Sequence, residues 1–107
     1  PTTQGEIAPG YHPLGCYRQE EEFGFVSFVR LLGRVTKVIN STVEIQRCAR
    51  AAGKSGYRKF GVKEFAECYG SNSDFIFQSL KQENDCKDGM GRKNSYFVYI
   101  FNSKFND

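Results

Sequence analysis

The chain has no tryptophan, one histidine and one methionine. Its only histidine, His12, sits beside Pro13 in a stretch broken by Gly5, Pro9 and Gly10. Serine- and cysteine-type hydrolases need a positioned base, so a catalytic triad has little to build on. The four cysteines, Cys16, Cys48, Cys68 and Cys86, form no C-x-x-C pair, which removes the usual zinc-ligand pattern. No apolar run exceeds Tyr96–Phe101, far short of the roughly twenty residues that a membrane span requires. No phosphate-binding glycine loop occurs, because Gly89-Met90-Gly91 lacks the strand-then-helix context of such loops. The 15 basic and 12 acidic residues are interspersed, giving a net charge of +3. That is a soluble surface rather than the strongly basic face that nucleic acid demands. No leader segment is visible, and a start at Pro1 is what a processed or trimmed chain would show.

What is present is aromatic bulk and spread cysteine. Ten Phe and six Tyr supply much of the apolar volume of a 107-residue chain. One domain of this size buries roughly 60–70% of the surface that its unfolded chain exposes. Four separated cysteines in a small aromatic-rich chain fit two disulfides in an oxidising compartment. The alternative, four free thiols in a reducing compartment, fits less well. Asn40-Ser41-Thr42 is an N-glycosylation sequon, compatible with a secreted, extracellular protein.

Along the chain, residues 1–13 read as an extended N-terminal arm, residues 14–101 as one domain and residues 102–107 as a polar tail. Leu14–Arg18 has the look of a short first strand anchored by Cys16, and Gln19–Glu22 of a solvated loop. Phe23–Leu32 is rich in β-formers, a strand or a loop folded onto the core, and Gly33 interrupts it. Arg34–Ile39 alternates weakly and is read as a strand. Ser41-Thr42-Val43-Glu44 matches a capping box with Ser41 as the N-cap. Ile45, Cys48, Ala49 and Ala52 then fall at i, i+3, i+4 and i+7, the apolar face of a helix over about 42–54 that ends at Gly53 or Gly56. Cys48 faces inward on it and suits a strand cysteine as partner.

The stretch Gly56–Ser71 (GYRKFGVKEFAECYGS) follows. Phe60 and Val62 alternate with Gly61 and Lys63, Phe65-Ala66 breaks the alternation, and Glu67-Cys68-Tyr69 resumes it. This predicts a hairpin pairing Lys59–Glu64 with Glu67–Gly70, closed off by turn chemistry over Gly70–Asp74. Phe75–Lys81 is a short apolar segment, and Gln82–Arg92 a polar connector holding Cys86. Tyr96–Phe101 is apolar on both faces, as a central, doubly covered strand is. The fold class expected is α+β: a small disulfide-stapled domain with one main helix packed on a twisted antiparallel sheet.

Glu64 and Glu67 are a carboxylate pair on paper, but in a hairpin such pairs are usually solvated charges rather than an acid and a base. Tyr57-Arg58-Lys59-Phe60 interleaves aromatic with basic residues as single-strand nucleic-acid sites do. Phe60 is better explained as core. The reading is therefore of a non-enzyme, with no cofactor, no metal, no nucleic-acid partner and no membrane insertion.

Gly15-Cys16-Tyr17, the helix with Cys48, Gly56-Tyr57, Phe60-Gly61-Val62 and Glu67-Cys68-Tyr69-Gly70 together resemble the WSC domain of cell-wall sensors and Kremen-type receptors. With Cys86 and Gly89-Met90-Gly91 the likeness extends over most of Leu14–Phe101, in the manner of single-domain secreted versions with fewer cysteines in marine invertebrates such as cnidarians. Gly70 stands where the family usually has a further cysteine, so its ECYCG is here ECYGS. The resemblance implies an apple/PAN-like fold, a binding rather than catalytic role, and pairing of Cys48 with Cys68 and of Cys16 with Cys86. Without it, spacing allows three connectivities.

The function expected is a secreted binding module, lectin-like or adhesive, with a glycan or cell-surface glycoprotein as partner. Tyr69 offers an aromatic face beside Asn72 and Asp74, and Glu67 and Lys63 lie on the same hairpin. One alternative is a small secreted effector, such as a toxin or defence protein, acting through Arg47, Arg50, Lys54, Arg58 and Lys59. Another is a self-associating matrix protein that uses exposed edge strands. Oligomeric state is left open.

Overall fold

A computed structural model describes residues 10–18, 29–72 and 84–102. The expectations for Gln19–Glu22, Phe23–Phe28, Asp74 and Phe75–Lys81 lie outside these residues. Five strands form one antiparallel sheet: β1 (Tyr11–Arg18), β2 (Val29–Leu32), β3 (Lys59–Val62), β4 (Cys68–Ser71) and β5 (Ser95–Phe101). Their order is β1-β5-β3-β4-β2. The helix, α1 (Ser41–Lys54), contacts β2, β3 and β4. The domain is α+β: the described residues form one α-helix, one sheet and two disulfides.

Helix and sheet meet through unlike side chains. α1 contributes Ile45, Cys48, Ala49 and Ala52, mostly small, while the sheet contributes Phe60, Val62, Tyr99 and Phe101. Small residues let the helix axis approach, and the rings fill the space that remains. Phe60 stacks on Tyr99 at 5.0 Å between centroids, and Tyr11 closes edge-on over Phe60 at 5.2 Å. Cys48 and Cys68 join helix to β4 inside this cluster, with Cα atoms 5.4 Å apart. The second bridge joins Cys16 on β1 to Cys86 in the connector before β5, across 70 positions of sequence.

Gly70 earns its place by close approach. A Cβ there would come within 2.6 Å of the Tyr57 ring and 3.0 Å of Leu31. The space that a side chain at position 70 would take is filled by Tyr57. That ring arrives because α1 ends in a Schellman turn. Tyr57 N–H donates to the Ala52 carbonyl and Gly56 N–H to that of Gly53, while Gly56 takes φ +84.

Several elements differ from expectation. The N-cap is Asn40, not Ser41: Asn40 is extended, and its Oδ1 accepts from Val43 N–H at 3.2 Å. Asn and Ser cap equally well, so two adjacent candidates could not be ranked from sequence. Glu44 consequently falls one position too late for a capping box and pairs with Arg47 at 3.2 Å. Residues 34–39 form no strand. The Val35 N–H instead donates to the Phe65 carbonyl at 2.8 Å, docking this segment on the turn after β3. β1 begins at Tyr11 rather than Leu14, because Tyr11–Pro13 pair with Tyr99–Phe101. Pro13 is tolerated because β1 lies at the end of the sheet order, where a missing donor costs little, and the register shifts between Pro13 and Gly15. The hairpin ladder is shorter than expected, Lys59–Val62 against Cys68–Ser71, with a 3₁₀ turn at Glu64–Ala66 between the strands. β5 lies inside the sheet between β1 and β3, but the middle position belongs to β3.

Because Asn40 rather than Ser41 caps the helix, replacing each with Ala separates the two readings. Asn40→Ala is expected to cost about 1 kcal/mol of stability and Ser41→Ala close to none, measured by urea unfolding.

Candidate functional site

Three of the residues expected at a ligand site do come together, but they face one another. On β4, the half-buried Tyr69 donates its hydroxyl proton to Glu67 Oε1 at 2.7 Å. Its ring meets Tyr96 edge-on at 5.3 Å. Lys63 is only 9% exposed, with Nζ 5.3 Å from the centroid of the same Tyr96 ring. Glu67 is also ion-paired with Arg34, whose Nε lies 3.5 Å from its Oε2. Asn72 holds the end of β4 to the post-helix turn: Oδ1 accepts from Arg58 N–H at 2.7 Å, and Nδ2 donates to the Gly56 carbonyl. Asp74 lies outside the described residues. The hairpin thus spends these polar groups on its own cohesion. Lys59, expected in a basic cluster, is 2% exposed and cannot join one.

An open cleft of about 270 Å³ lies beside this network. Val38, Phe65 and Met90 supply its apolar lining, and Glu64, Lys87, Asp88 and Arg92 its charged lining. Phe65 is set there by the 3₁₀ turn. Its φ is +58, followed by +61 at Ala66, a left-handed pair that is costly for residues other than glycine. The result is a phenyl ring left 41% exposed. The Arg34 guanidinium lies over the ring, its carbon 4.5 Å from the centroid, and is itself paired with Glu64 at 3.7 Å and Glu67 at 3.5 Å.

The opposite wall is the connector 84–94. Cys86 ties one end of it to β1, and Gly91 N–H donates to the Val62 carbonyl at 2.8 Å. Tyr99 Oη donates to the Gly89 carbonyl at 2.7 Å, and Arg92 N–H to Ser95 Oγ at 2.8 Å. Asp88, at the tip, also has a left-handed φ of +57. Both walls are therefore fixed by internal bonds, while the side chains of Lys87, Asp88 and Arg92 reach solvent.

No family model and no curated protein matches this chain. The WSC resemblance rests on its ordered motif residues. Among the described residues, the cluster Cys16, Asp85 and Cys86 has metal-ligand atoms within 4.8 Å of one another. Both its sulfurs are locked in a disulfide, so it offers a single carboxylate. His12 Nδ1 lies 2.6 Å from Asn102 Oδ1 on the exposed end of β1. No described helix is long and apolar enough to cross a membrane.

Sequence reasoning missed Val38, Phe65, Lys87, Asp88, Met90 and Arg92 as site residues. The one usable signal was the break in alternation at Phe65-Ala66, which marks an aromatic that the ladder cannot place inward.

Tyr69 is pushed up to about 12, first by burial and then by its bond to Glu67 and that residue's charge, against Arg30 and Arg34. Burial also raises Tyr99 and Tyr11, with Arg50 opposing the shift at Tyr11. The fold favours the neutral phenols, so their contribution is complete below the ordinary tyrosine value near 10 and is lost as pH climbs through the raised values. Stability is expected to fall from about pH 10 upward. In a tyrosinate-absorbance titration, Tyr69→Phe is expected to remove the step near pH 12.

Proposed function

We propose that this chain is an extracellular binding module that takes a carbohydrate in the cleft beside Phe65. The exposed Phe65 ring, held at a left-handed backbone angle over an open, charge-rimmed cleft, carries the reading. Strain of this kind costs about 1–3 kcal/mol and clusters at functional sites. An aromatic ring accepts the apolar side of a pyranose, and flanking carboxylates and cations bond its hydroxyls. Glu64, Lys87, Asp88 and Arg92 supply those groups. Ligand sites run from roughly 300 to 1,000 Å³. A cleft of about 270 Å³ suits a single sugar unit or a chain end rather than a long polymer.

Two disulfides in a small domain fit an oxidising compartment, which supports the extracellular reading. The WSC resemblance points toward binding and toward an apple/PAN-like fold. At the sequon, capping uses Asn40 Oδ1 and leaves Nδ2, the atom a glycan would join, on an exposed residue.

The test is an array of neutral oligosaccharides probed with the native chain and with Phe65→Gly. Glycine tolerates the left-handed angle, so the variant is expected to fold at undiminished stability while losing tenfold or more in affinity, about 1.4 kcal/mol. Absence of any neutral-sugar binding by the native chain would overturn the proposal.

A further inference from the structure

The outward face of α1 carries a row of exposed cations. Ile45, Cys48, Ala49 and Ala52 turn into the core. At 3.6 residues per turn, Arg47, Arg50 and Lys54 fall within about 60° of arc on the opposite side of the helix. Arg58 follows just beyond the Schellman turn, and all four are exposed. Among the described residues, only Arg47 has an acidic partner, Glu44 at 3.2 Å, in a pair whose Arg side chain is 51% exposed. Such exposed pairs contribute a few tenths of a kcal/mol and are readily exchanged for another anion. Glu44 is the only acidic residue of α1.

Stability does not account for this row. Lys54 lies in the last turn, where the helix dipole favours a cation, but Arg47 and Arg50 are mid-helix. Like charges three and four positions apart repel by roughly 0.2–0.5 kcal/mol per pair. The row is therefore a small, standing cost kept on the helix face turned away from the core.

We propose that this face of α1, with Arg47, Arg50 and Lys54, together with the exposed Arg58 just beyond its C-terminal turn, is a docking surface for a sulfated polysaccharide, separate from the Phe65 cleft. With a rise of 1.5 Å per residue, Arg47 and Lys54 are about 10 Å apart along the axis, with Arg50 between them. That is a line of cations suited to a polymer with repeating anions rather than to one anion. Guanidinium groups grip the paired oxygens of an oxyanion in bidentate fashion. The face favours this polyanion over two others. Single-stranded nucleic acid binds on aromatic platforms, and the exposed positions Thr42, Val43, Gln46 and Gly53 offer none. An anionic membrane takes amphipathic helices that present large apolar side chains, and here Val43 alone is of that kind. The choice of a sulfated polymer rests on the extracellular reading, and the site itself does not rest on the cleft.

The experiment measures binding to immobilised heparin, a highly sulfated polysaccharide, across a salt series. The native chain is expected to bind and to weaken tenfold or more between about 50 and 200 mM salt, as counterion-linked binding does. The variant Arg50→Gln, Lys54→Gln, Arg58→Gln alters exposed side chains only. It is expected to keep the native circular dichroism, retain neutral-sugar binding and lose at least tenfold in heparin affinity. Arg50→Lys with Arg58→Lys is expected to keep most of that affinity, and Phe65→Gly all of it. Chemically desulfated heparin is expected not to bind. Absence of native binding, equal binding by the glutamine variant, or equal binding to single-stranded DNA or phosphatidylserine vesicles would each overturn the proposal.

Discussion

The seam between α1 and the sheet is the constraint on which everything else depends. The helix brings Cys48, Ala49 and Ala52 to that seam, and the sheet brings Phe60, Tyr99 and Phe101. Small against large fixes how closely the two layers approach, and the Cys48–Cys68 bridge fixes where they meet along the strands. A chain of this size has little core to spare. A covalent link inside that core is therefore placed where it constrains the most, and bridges of this kind typically add 2–4 kcal/mol.

The rest is arranged around that seam. Gly70 exists so that Tyr57 can lie on β4, and Tyr57 reaches it because the Schellman turn redirects the chain after Lys54. Arg34 fastens the segment after β2 to the turn between β3 and β4 through Glu64, Glu67 and the Phe65 ring. The connector before β5 is fastened independently, by Cys86 and by bonds to Val62 and Tyr99. The cleft is the space left between two firmly held walls, which is why an open cavity persists in so small a domain.

Much of the fold was legible in the residues because periodicity is local. Ile45, Cys48, Ala49 and Ala52 define one helix face by themselves, and Phe60, Val62, Cys68 and Tyr96–Phe101 define strands. What escaped reading depends on partners far away in sequence. Arg34–Ile39 looks like a strand until the Val35 N–H is claimed by Phe65. Tyr11–Pro13 looks like a broken arm until Tyr99–Phe101 arrives to pair with it. Tyr69, Glu67 and Lys63 have the right chemistry for a sugar, but the hairpin turns them on one another and on Tyr96. The cleft unites Val38, Phe65 and Met90, three residues with no shared motif.

The sheet order has a consequence for how the chain comes to be made. The last strand, β5, lies between the first and the third, so β1 has no described neighbour in the sheet until the final strand is synthesised. The bridges are nested in the same way, with 48–68 inside 16–86. During synthesis, however, Cys16 and Cys48 emerge first and are the earliest pair able to oxidise. Strict order of emergence would produce the wrong bridge. The outer bridge can close only once Cys86 has emerged, a bridge formed earlier between Cys16 and Cys48 would have to be undone by thiol–disulfide exchange, and long-range pairing of this kind is slow to close. Both the sheet and the outer bridge therefore close last, around β1 and the segment from Cys86 to β5.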